Sequence, residues 1–247
     1  MTLSRSLPQC EFPAGYDGSV ILERLAQVHD PELDEPVLQL GFVRALQVRD
    51  GHVRVELQLP TSWCAINFAY LMAQDIRVAL LGVRGIREVS VGLSDHCAAG
   101  EIEAAVNSGK SFAEAFPGQG SQGLEALRRI FLRKGFLSRQ ERLLRELREA
   151  GYPPAAVCAM RVGDLSSEPR TMQRYLARRA ELGLGSSPAD PLIVDADGEP
   201  VPAERLEAHY RNVRTVRVAI EANGSFCRAV LAARHVSATA GETDVQP

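Results

Sequence analysis

Cys64 is the residue whose type and position in the sequence best suit metal chemistry. It follows a short loop over 60–63 and begins a mostly apolar stretch that predicts a helix over 64–80. If Thr61 is the N-cap, Cys64 takes the third helical position, where unpaired backbone N–H groups favour a thiolate, the form that binds iron. The alternative is a small buried residue between sheet and helix, as most free cysteines are.

Further ligands are needed, because one thiolate cannot hold an iron-sulfur cluster, which typically has four protein ligands. Asp30 and Glu32 follow the first predicted helix. Three roles are open for them: binding the metal, orienting the cysteine loop, or only capping local structure. His96 and Cys97 come directly after a predicted strand, and both are ligand types. An exposed surface turn would have the same sequence. Either these residues complete the site or two chains share it as a homodimer.

The elements around these candidates predict a compact α+β domain over 18–100. Apolar spacing predicts a helix over 19–28, and alternating residues predict strands over 42–48, 53–59 and 89–93. Asp50 and Gly51 predict a hairpin turn that needs positive φ. The order helix, strand, strand, helix, strand predicts a three-stranded sheet with both helices on one face.

The second half of the chain predicts a mainly α-helical domain. The predicted segments are a linker over 101–123, a helical accessory domain over 124–237 and a disordered tail over 238–247. Within the helical domain, helices are predicted over 124–134, 138–150, 171–182 and 203–235, the last as one helix or two. Ser138 and Glu141 form a capping-box signature at the start of the second of these helices.

A basic surface is predicted over 124–148, where eight Arg or Lys residues stand against three Glu. Apolar residues interleave with them at helical spacing, so the segment predicts amphipathic helices with one basic face. That face is either a solvated helix surface or a docking surface for an acidic partner. Arg142 and Arg145 are the candidate partner-binding residues.

Composition excludes several classes of protein. The 247 residues carry a net charge of −3, which gives no general attraction to nucleic acid. No stretch approaches the roughly 18 to 20 apolar residues of a membrane span, and the first residues lack a secretory signal pattern, so a cytoplasmic protein is expected. The five cysteines are far apart without a C-x-x-C unit. No phosphate loop, G-x-S-x-G or H-E-x-x-H motif is present, so an enzyme is not expected.

The segment over about 19–94 resembles the MIP18/DUF59 family, which occurs in iron-sulfur assembly and carrier proteins and in accessory proteins of phenylacetyl-CoA epoxidase. The motifs that carry the resemblance are Asp30-Pro31-Glu32, Leu40-Gly41-Phe42-Val43, Thr61-x-x-Cys64 and Val89-x-Val91-x-Leu93. Where the family has a small pair before the cysteine, this chain has Ser62-Trp63. The resemblance implies that Asp30 and Glu32 lie near the cysteine loop, with Thr61 and Gly41 supporting it, and that iron or an iron-sulfur cluster is held transiently.

Together, the two halves resemble the DUF59-containing accessory proteins encoded beside bacterial soluble di-iron monooxygenases, such as propane monooxygenase. This resemblance implies a metalloprotein maturation factor, which delivers iron or a cluster to a client enzyme or holds the unfinished client. A metal-free adaptor that docks a client through its basic helices is the second hypothesis. The third is a DNA-binding protein, because 151–214 resembles the catalytic domain of tyrosine recombinases. Only Arg161 matches that active site, so nucleic acid is not an expected partner.

Overall fold

The protein was analysed as a computed structural model, which describes residues 8–13, 15–118, 121–165 and 170–241. The chain divides into two compact units. The first unit consists of Met1–Glu125 together with Gly224–Pro247, and the second is Ala126–Asn223. The first unit is mixed α+β and the second is mainly helical, which confirms the predicted classes of structure.

The sheet of the first unit has four strands within the described residues. They are β1 (Gln9–Glu11), β2 (Val43–Arg49), β3 (His52–Gln58) and β4 (Glu88–Ser94), in the spatial order β1-β2-β3-β4. The pairs β1·β2 and β3·β4 are parallel, and β2·β3 is antiparallel. The prediction of three strands was therefore wrong. It missed β1, a three-residue edge strand between Pro8 and Pro13 that is too short to show an alternating pattern.

The turn between β2 and β3 is the predicted tight hairpin. Asp50 has a φ of 46° and Gly51 a φ of 80°. Two successive positive φ angles are typical of a type I′ turn, whose twist matches that of the flanking strands. The carbonyl oxygen of Gly51 also accepts hydrogen bonds from the N–H groups of Arg87 and Glu88, at 2.8 and 3.2 Å. The hairpin thereby fixes the start of β4.

Helices cover the sheet and connect its strands. They are α1 (Gly18–Leu25), α2 (Val37–Leu40), α3 (Ile66–Leu81), α4 (Ala99–Ser108) and α5 (Phe112–Ala115). Asp17 caps α1, because its carboxylate accepts a hydrogen bond from the N–H of Ser19 at 2.9 Å. The long helix α3 buries Ala69, Ala73 and Ile76 in the same core as the inward-facing strand residues.

The predicted linker over 101–123 instead contains α4 and α5. Their residues Ile102, Val106 and Phe112 are buried in the core of the first unit. Phe112 packs edge-on against Tyr70 of α3, with the ring centroids 5.3 Å apart, and the Tyr70 hydroxyl donates to the carbonyl oxygen of Lys110 at 2.6 Å. The Gly and Ser residues of this segment suggested a linker, but its apolar residues at helical spacing determine the structure.

The second unit is built from helices around a core of its own. Helices α7 (Pro154–Ala159) and α8 (Arg170–Leu182) lie within it, together with α6 (Ser121–Glu149) from Ala126 onwards and α9 (Leu206–Gly241) up to Asn223. Single 3-10 turns occur at Val162–Asp164 and Ala203–Arg205. Buried residues of this core include Phe136, Leu143, Tyr175, Leu192 and Val213. No helix in the described part of the chain is long and apolar enough to cross a membrane.

Two predicted boundaries in this half differ from the structure. Helix α6 is continuous over Ser121–Glu149, so the predicted start of a new helix at Ser138 was wrong. Ser138 and Glu141 are buried inside the helix, and Glu141 forms an ion pair with Arg217 of α9 instead of a capping box. The predicted disordered tail over 238–247 overlaps the end of α9 at Gly241, and residues 242–247 lie outside the described residues.

Candidate functional site

Cys64 lies in the loop between β3 and α3, two residues before the first residue of the helix. The N-cap of α3 is Ala65, which makes no side-chain capping bond, so the prediction of Thr61 as N-cap was wrong. Thr61 instead closes a local turn. Its hydroxyl accepts from the N–H of Trp63 at 3.3 Å and lies 3.4 Å from the sulfur of Cys64. Thr61 therefore supports the cysteine directly, while the helix begins later.

His96 holds this loop from the other side. Its Nε2 donates to the carbonyl oxygen of Cys64 at 2.8 Å, and its Nδ1 accepts from the N–H of Ala98 at 3.2 Å. These two partners require a neutral ring with its proton on Nε2. The ring is buried, with 7% of its surface exposed. In this geometry both ring nitrogens make hydrogen bonds, one to the cysteine loop and one within the turn after β4, and the role of His96 as a metal ligand stays a prediction.

Cys97 joins the same two loops through its backbone. Its N–H donates to the carbonyl oxygen of Ser62 at 2.9 Å, beside the bond that His96 makes to Cys64. The side chain of Cys97 is exposed, whereas that of Cys64 is half-buried. The turn after β4 and the cysteine loop thus form one hydrogen-bonded structure, in which Cys64 is the better protected thiol.

Asp30 caps the turn after α1. Its Oδ1 accepts hydrogen bonds from the N–H groups of Glu32 and Leu33, at 2.9 and 2.8 Å. Burial raises the pKa of the Asp30 carboxyl to about 6, although these two hydrogen bonds act in the opposite direction. Glu32 is half-buried in the same turn. The capping role considered for Asp30 is the one its contacts support, and ligation by Asp30 or Glu32 stays a prediction.

Cys227 is a residue of this region that the sequence analysis did not select. It lies in the part of α9 that belongs to the first unit, half-buried against the same core as Cys64. Burial raises the pKa of the Cys227 thiol to about 11, and negative charge on Asp30, Cys64 and Glu32 acts in the same direction. Cys227 is therefore packed against the same core as the cysteine loop, although the two belong to different segments of the first unit. No local motif marks it, because the proximity joins segments that are distant along the chain.

Gly41, for which the resemblance implied a role in supporting the cysteine loop, lies at the end of α2. It is the C-cap of that helix, with a left-handed φ of 75° that favours glycine. A Cβ atom at this position would lie 3.8 Å from the Cδ2 atom of Leu231, a buried residue of α9. Among the described residues, no three His, Cys, Asp or Glu side chains are grouped closely enough to hold a metal ion.

The predicted partner-binding residues lie in the second unit, on α6. Arg145 is exposed, whereas Arg142 is half-buried and forms an ion pair with Glu221 at 3.4 Å. Arg139 of the same basic stretch is buried and donates to the carbonyl oxygen of Arg174 at 2.7 Å. Part of the basic stretch therefore stabilises the second unit itself. Arg161 does the same, since its guanidinium donates to the carbonyl oxygen of Ala189 at 3.2 Å.

Comparison with known proteins identifies one part of the chain. A family model described as iron-sulfur cluster assembly protein matches residues 19–92. No match was found among curated proteins or among solved structures. The matched segment contains Asp30, Gly41, Thr61 and Cys64, whereas His96, Cys97 and Cys227 lie outside it. Residues 19–92 of this chain therefore match the MIP18/DUF59 type of iron-sulfur cluster assembly protein, and this matched segment is called the assembly domain below.

Proposed function

We propose that this protein is a metalloprotein maturation factor that carries iron or an iron-sulfur cluster on Cys64 and passes it to a client enzyme. The family of the 19–92 domain supports a general role in cluster assembly or metal maturation. The observation that carries the finer proposal is the setting of the Cys64 thiol. It lies inside the matched segment, on a loop with two supports. The Thr61 hydroxyl contacts the sulfur of Cys64, and the His96 ring donates to the carbonyl oxygen of Cys64.

This setting suits a metal that is bound and then released. A loop with a fixed backbone keeps the sulfur in one position, so little ordering is needed when a metal arrives. Trp63, the neighbouring residue, is 81% exposed. Exposed aromatic side chains are frequent anchors of protein interfaces. A client or donor protein that contacts Trp63 would therefore be brought next to the thiol.

The remaining ligands of the metal come from elsewhere, since Cys64 supplies only one of the typical four. These ligands can come from a donor protein, from the client enzyme or from a second copy of this chain. With each of these sources the metal-bound complex is transient. We take the client to be an iron-dependent oxygenase, such as a subunit of a soluble di-iron monooxygenase. In this function the protein performs no turnover of its own.

The test is anaerobic reconstitution with ferrous iron and sulfide, followed by visible absorption and iron analysis after desalting. The wild type is compared with Cys64→Ser and with Cys158→Ser, which alters a half-buried thiol of the second unit. We expect Cys64→Ser to lose most of the bound iron and Cys158→Ser to retain it. Equal iron content in the wild type and Cys64→Ser would contradict the carrier function.

A metal-free adaptor is the second candidate function, and the exposure of Arg145 on α6 favours it. If α6 docks an acidic client, Arg145→Glu should abolish capture of that client by the tagged protein, while Cys64→Ser should leave capture intact. Arg129→Glu is the matched control, because it reverses another exposed charge on the same helix, about 24 Å away along the axis. Duplex DNA at low salt serves as the nucleic-acid control, and no binding is expected.

A further inference from the structure

The second unit has a surface pocket at the end of α6, which is called the Tyr152 pocket below. Its volume of about 220 Å³ is below the roughly 300–1,000 Å³ of sites that bind a drug-sized molecule. Three buried apolar residues line it, namely Leu144, Val157 and Leu206, together with the two tyrosines Tyr152 and Tyr210. The pocket therefore suits one bulky apolar side chain of a partner better than a cofactor.

Tyr152 stands on a rigid turn at the edge of this pocket. The N–H of Gly151, which has a φ of 83°, donates to the carbonyl oxygen of Arg148 at 3.0 Å. The next N–H, that of Tyr152, donates to the carbonyl oxygen of Leu147 at 3.1 Å, which completes a Schellman motif. The prolines at 153–154 follow and begin α7. Tyr152 is nevertheless 44% exposed, so a preorganised aromatic side chain is available to a partner.

Arg148 brings positive charge to the pocket. Its guanidinium lies over the ring of Tyr210, 4.4 Å from the centroid, and its Nη1 atom is 3.2 Å from a carboxylate oxygen of Glu207. Both side chains of this ion pair are about half exposed, so the pair contributes little to stability. A guanidinium carries five N–H donors, and the Nε and Nη2 donors of Arg148 can bind a carboxylate of a partner.

Two further arginines extend this charge along α6 and α9. The ion pair of Arg148 described above and that of Arg142 with Glu221, at 3.4 Å, show that the two helices run antiparallel here. Arg145 lies midway between the two paired arginines, and Arg214 lies midway between the two glutamates, so the two lie opposite each other. Both are exposed, and neither pairs with a carboxylate within the residues that the structure describes.

The charge of the second unit indicates the sign of the partner. Residues 126–223 carry seventeen Lys or Arg against thirteen Asp or Glu, whereas the whole chain has a net charge of −3. Carboxylates next to one apolar side chain would complement both the arginines and the pocket. A nucleotide base binds mainly by stacking on aromatic faces, but the buried lining of this pocket is aliphatic. An acidic protein segment therefore fits better than nucleic acid.

We propose that the Tyr152 pocket and the arginines beside it bind an acidic segment of a partner protein. One large apolar or aromatic side chain of that segment enters the pocket, and its carboxylates contact Arg145, Arg148 and Arg214. This inference rests on the adaptor, the second candidate function, and deepens it by naming the binding site and the chemistry of the partner. It needs no metal, because the site lies outside the matched segment 19–92.

The test begins with selection of a phage-displayed library of random peptides on the immobilised full chain. We expect the enriched peptides to be acidic and to share one large apolar residue. The most enriched peptide is then labelled with fluorescein, and its binding to the full chain and its variants is measured by fluorescence anisotropy at several salt concentrations. Enriched peptides that are basic, or that lack a shared apolar residue, would overturn the inference.

Tyr152→Ala should weaken binding of the labelled peptide at least about tenfold, as expected for an aromatic anchor, whereas Tyr152→Phe should retain most of it. Arg145→Glu and Arg214→Glu should weaken binding and reduce its dependence on salt. Phe226→Ala is the matched aromatic control, because Phe226 is 67% exposed and belongs to the first unit. This control should bind like the wild type. Far-UV circular dichroism of each variant verifies the fold.

The outcomes separate the pocket from the functions proposed above. Binding that is lost with Arg145→Glu but unchanged by Tyr152→Ala would overturn the pocket and leave an adaptor with a basic docking face. Binding unchanged by both would overturn both. A labelled single-stranded DNA should not compete with the peptide, and competition that depends on Tyr152 would overturn the protein partner. Tyr152→Ala should also retain iron after reconstitution, so the carrier function is judged independently.

Discussion

His96 and Cys64 are joined by a hydrogen bond of 2.8 Å from the ring Nε2 to the backbone carbonyl oxygen of the cysteine. The two residues belong to different parts of the domain, because Cys64 lies inside the family-matched segment and His96 follows it. The second ring nitrogen accepts from Ala98, so the histidine is fixed at both ends. The position of the thiol therefore depends on a residue that comes after the matched segment.

Replacing His96 with alanine tests this dependence. His96→Ala leaves the Cys64 carbonyl oxygen and the Ala98 N–H without their partner, and we expect a loss of about 1–3 kcal/mol in the free energy of unfolding. We also expect faster modification of Cys64 by a thiol reagent, since the loop is less restrained. His52→Ala is the matched control, because His52 bonds to Ser90 at 2.8 Å within the sheet. Equal Cys64 reactivity in both variants would contradict the positioning role.

Asp30 predicts a pH dependence of stability. Its pKa is raised in the folded protein from an ordinary 3.8 to about 6, mainly by burial. A carboxyl with a raised pKa contributes stability that is fully present below the unfolded pKa and is lost as the pH rises through the folded pKa. The free energy of unfolding of the wild type, relative to that of Asp30→Asn, should therefore fall by about 3 kcal/mol at most between about pH 4 and about pH 6. Above that range the difference should stay constant.

Urea denaturation across this pH range measures the Asp30 effect. The asparagine keeps an oxygen that accepts from Glu32 and Leu33, so the turn itself is preserved. Asp17→Asn is the control with the opposite sign, since hydrogen bonds from Ser19 lower the pKa of the exposed Asp17. Its contribution should grow as the pH rises towards the unfolded pKa of 3.8 and stay constant above it, where the contribution of Asp30 falls. A pH-independent difference between the wild type and Asp30→Asn would contradict the burial argument.

Local patterns in the sequence predicted the local structure well. The Asp50-Gly51 turn needs positive φ at both residues, and the flanking alternation is local too, so the hairpin follows from a few adjacent residues. Strand β1 does not follow from adjacent residues, because its three residues are ordered by parallel pairing with β2, a partner far along the chain. Ser138 shows the reverse case. Its local capping signature was overridden by burial of the continuous helix α6.

The same distinction applies to the candidate site. Cys64 and the Asp30 turn could be selected from motifs of a few residues. The structural role of His96 depends on which carbonyl oxygen its ring meets, and this is set by packing between β4 and the loop after β3. Cys227 lies in the last helix, and its contacts with the assembly domain are not encoded in any periodic pattern of that helix. Side-chain proximity between distant segments is set by tertiary packing, which local sequence patterns do not encode.

The second unit depends on Arg179, whose side chain is fully buried in α8. Its guanidinium donates to the carbonyl oxygens of Leu184, Pro191 and Leu192, at 3.1, 2.8 and 3.1 Å. Lysine keeps the charge but lacks the planar fork, so Arg179→Lys should lose at least two of these bonds. We expect a loss of about 2–4 kcal/mol in the free energy of unfolding.

Chemical denaturation followed by far-UV circular dichroism checks the Arg179 prediction. Arg145→Lys is the matched control, since it makes the same change at an exposed position on α6 and should alter stability by less than about 0.5 kcal/mol. Similar unfolding midpoints for the two variants would show that the buried guanidinium is not a structural requirement.

We expect the contacts of Arg234 to determine how tightly the last helix is held on the assembly domain. Its guanidinium bonds to the carbonyl oxygen of the buried Leu59 and pairs with Asp95. Arg234→Met keeps the aliphatic stem but removes both interactions, which favours local opening of the helix segment that carries Cys227. Since a hydrogen bond to a charged group contributes about 1.5 kcal/mol or more, alkylation of Cys227 should become about tenfold faster.

The alkylation rates are measured by mass spectrometry of each cysteine peptide after timed quenching. Cys158 is the internal reference, because it lies in the second unit and should keep its rate. Arg211→Met is the control substitution, at an exposed position in the part of the same helix that belongs to the second unit. If Arg234→Met and Arg211→Met gave the same Cys227 rate, the arginine contacts would not hold the segment in place. Access to Cys227 would then be set by other contacts of the segment, such as the packing of Leu231 and the ion pair of Arg228 with Glu35.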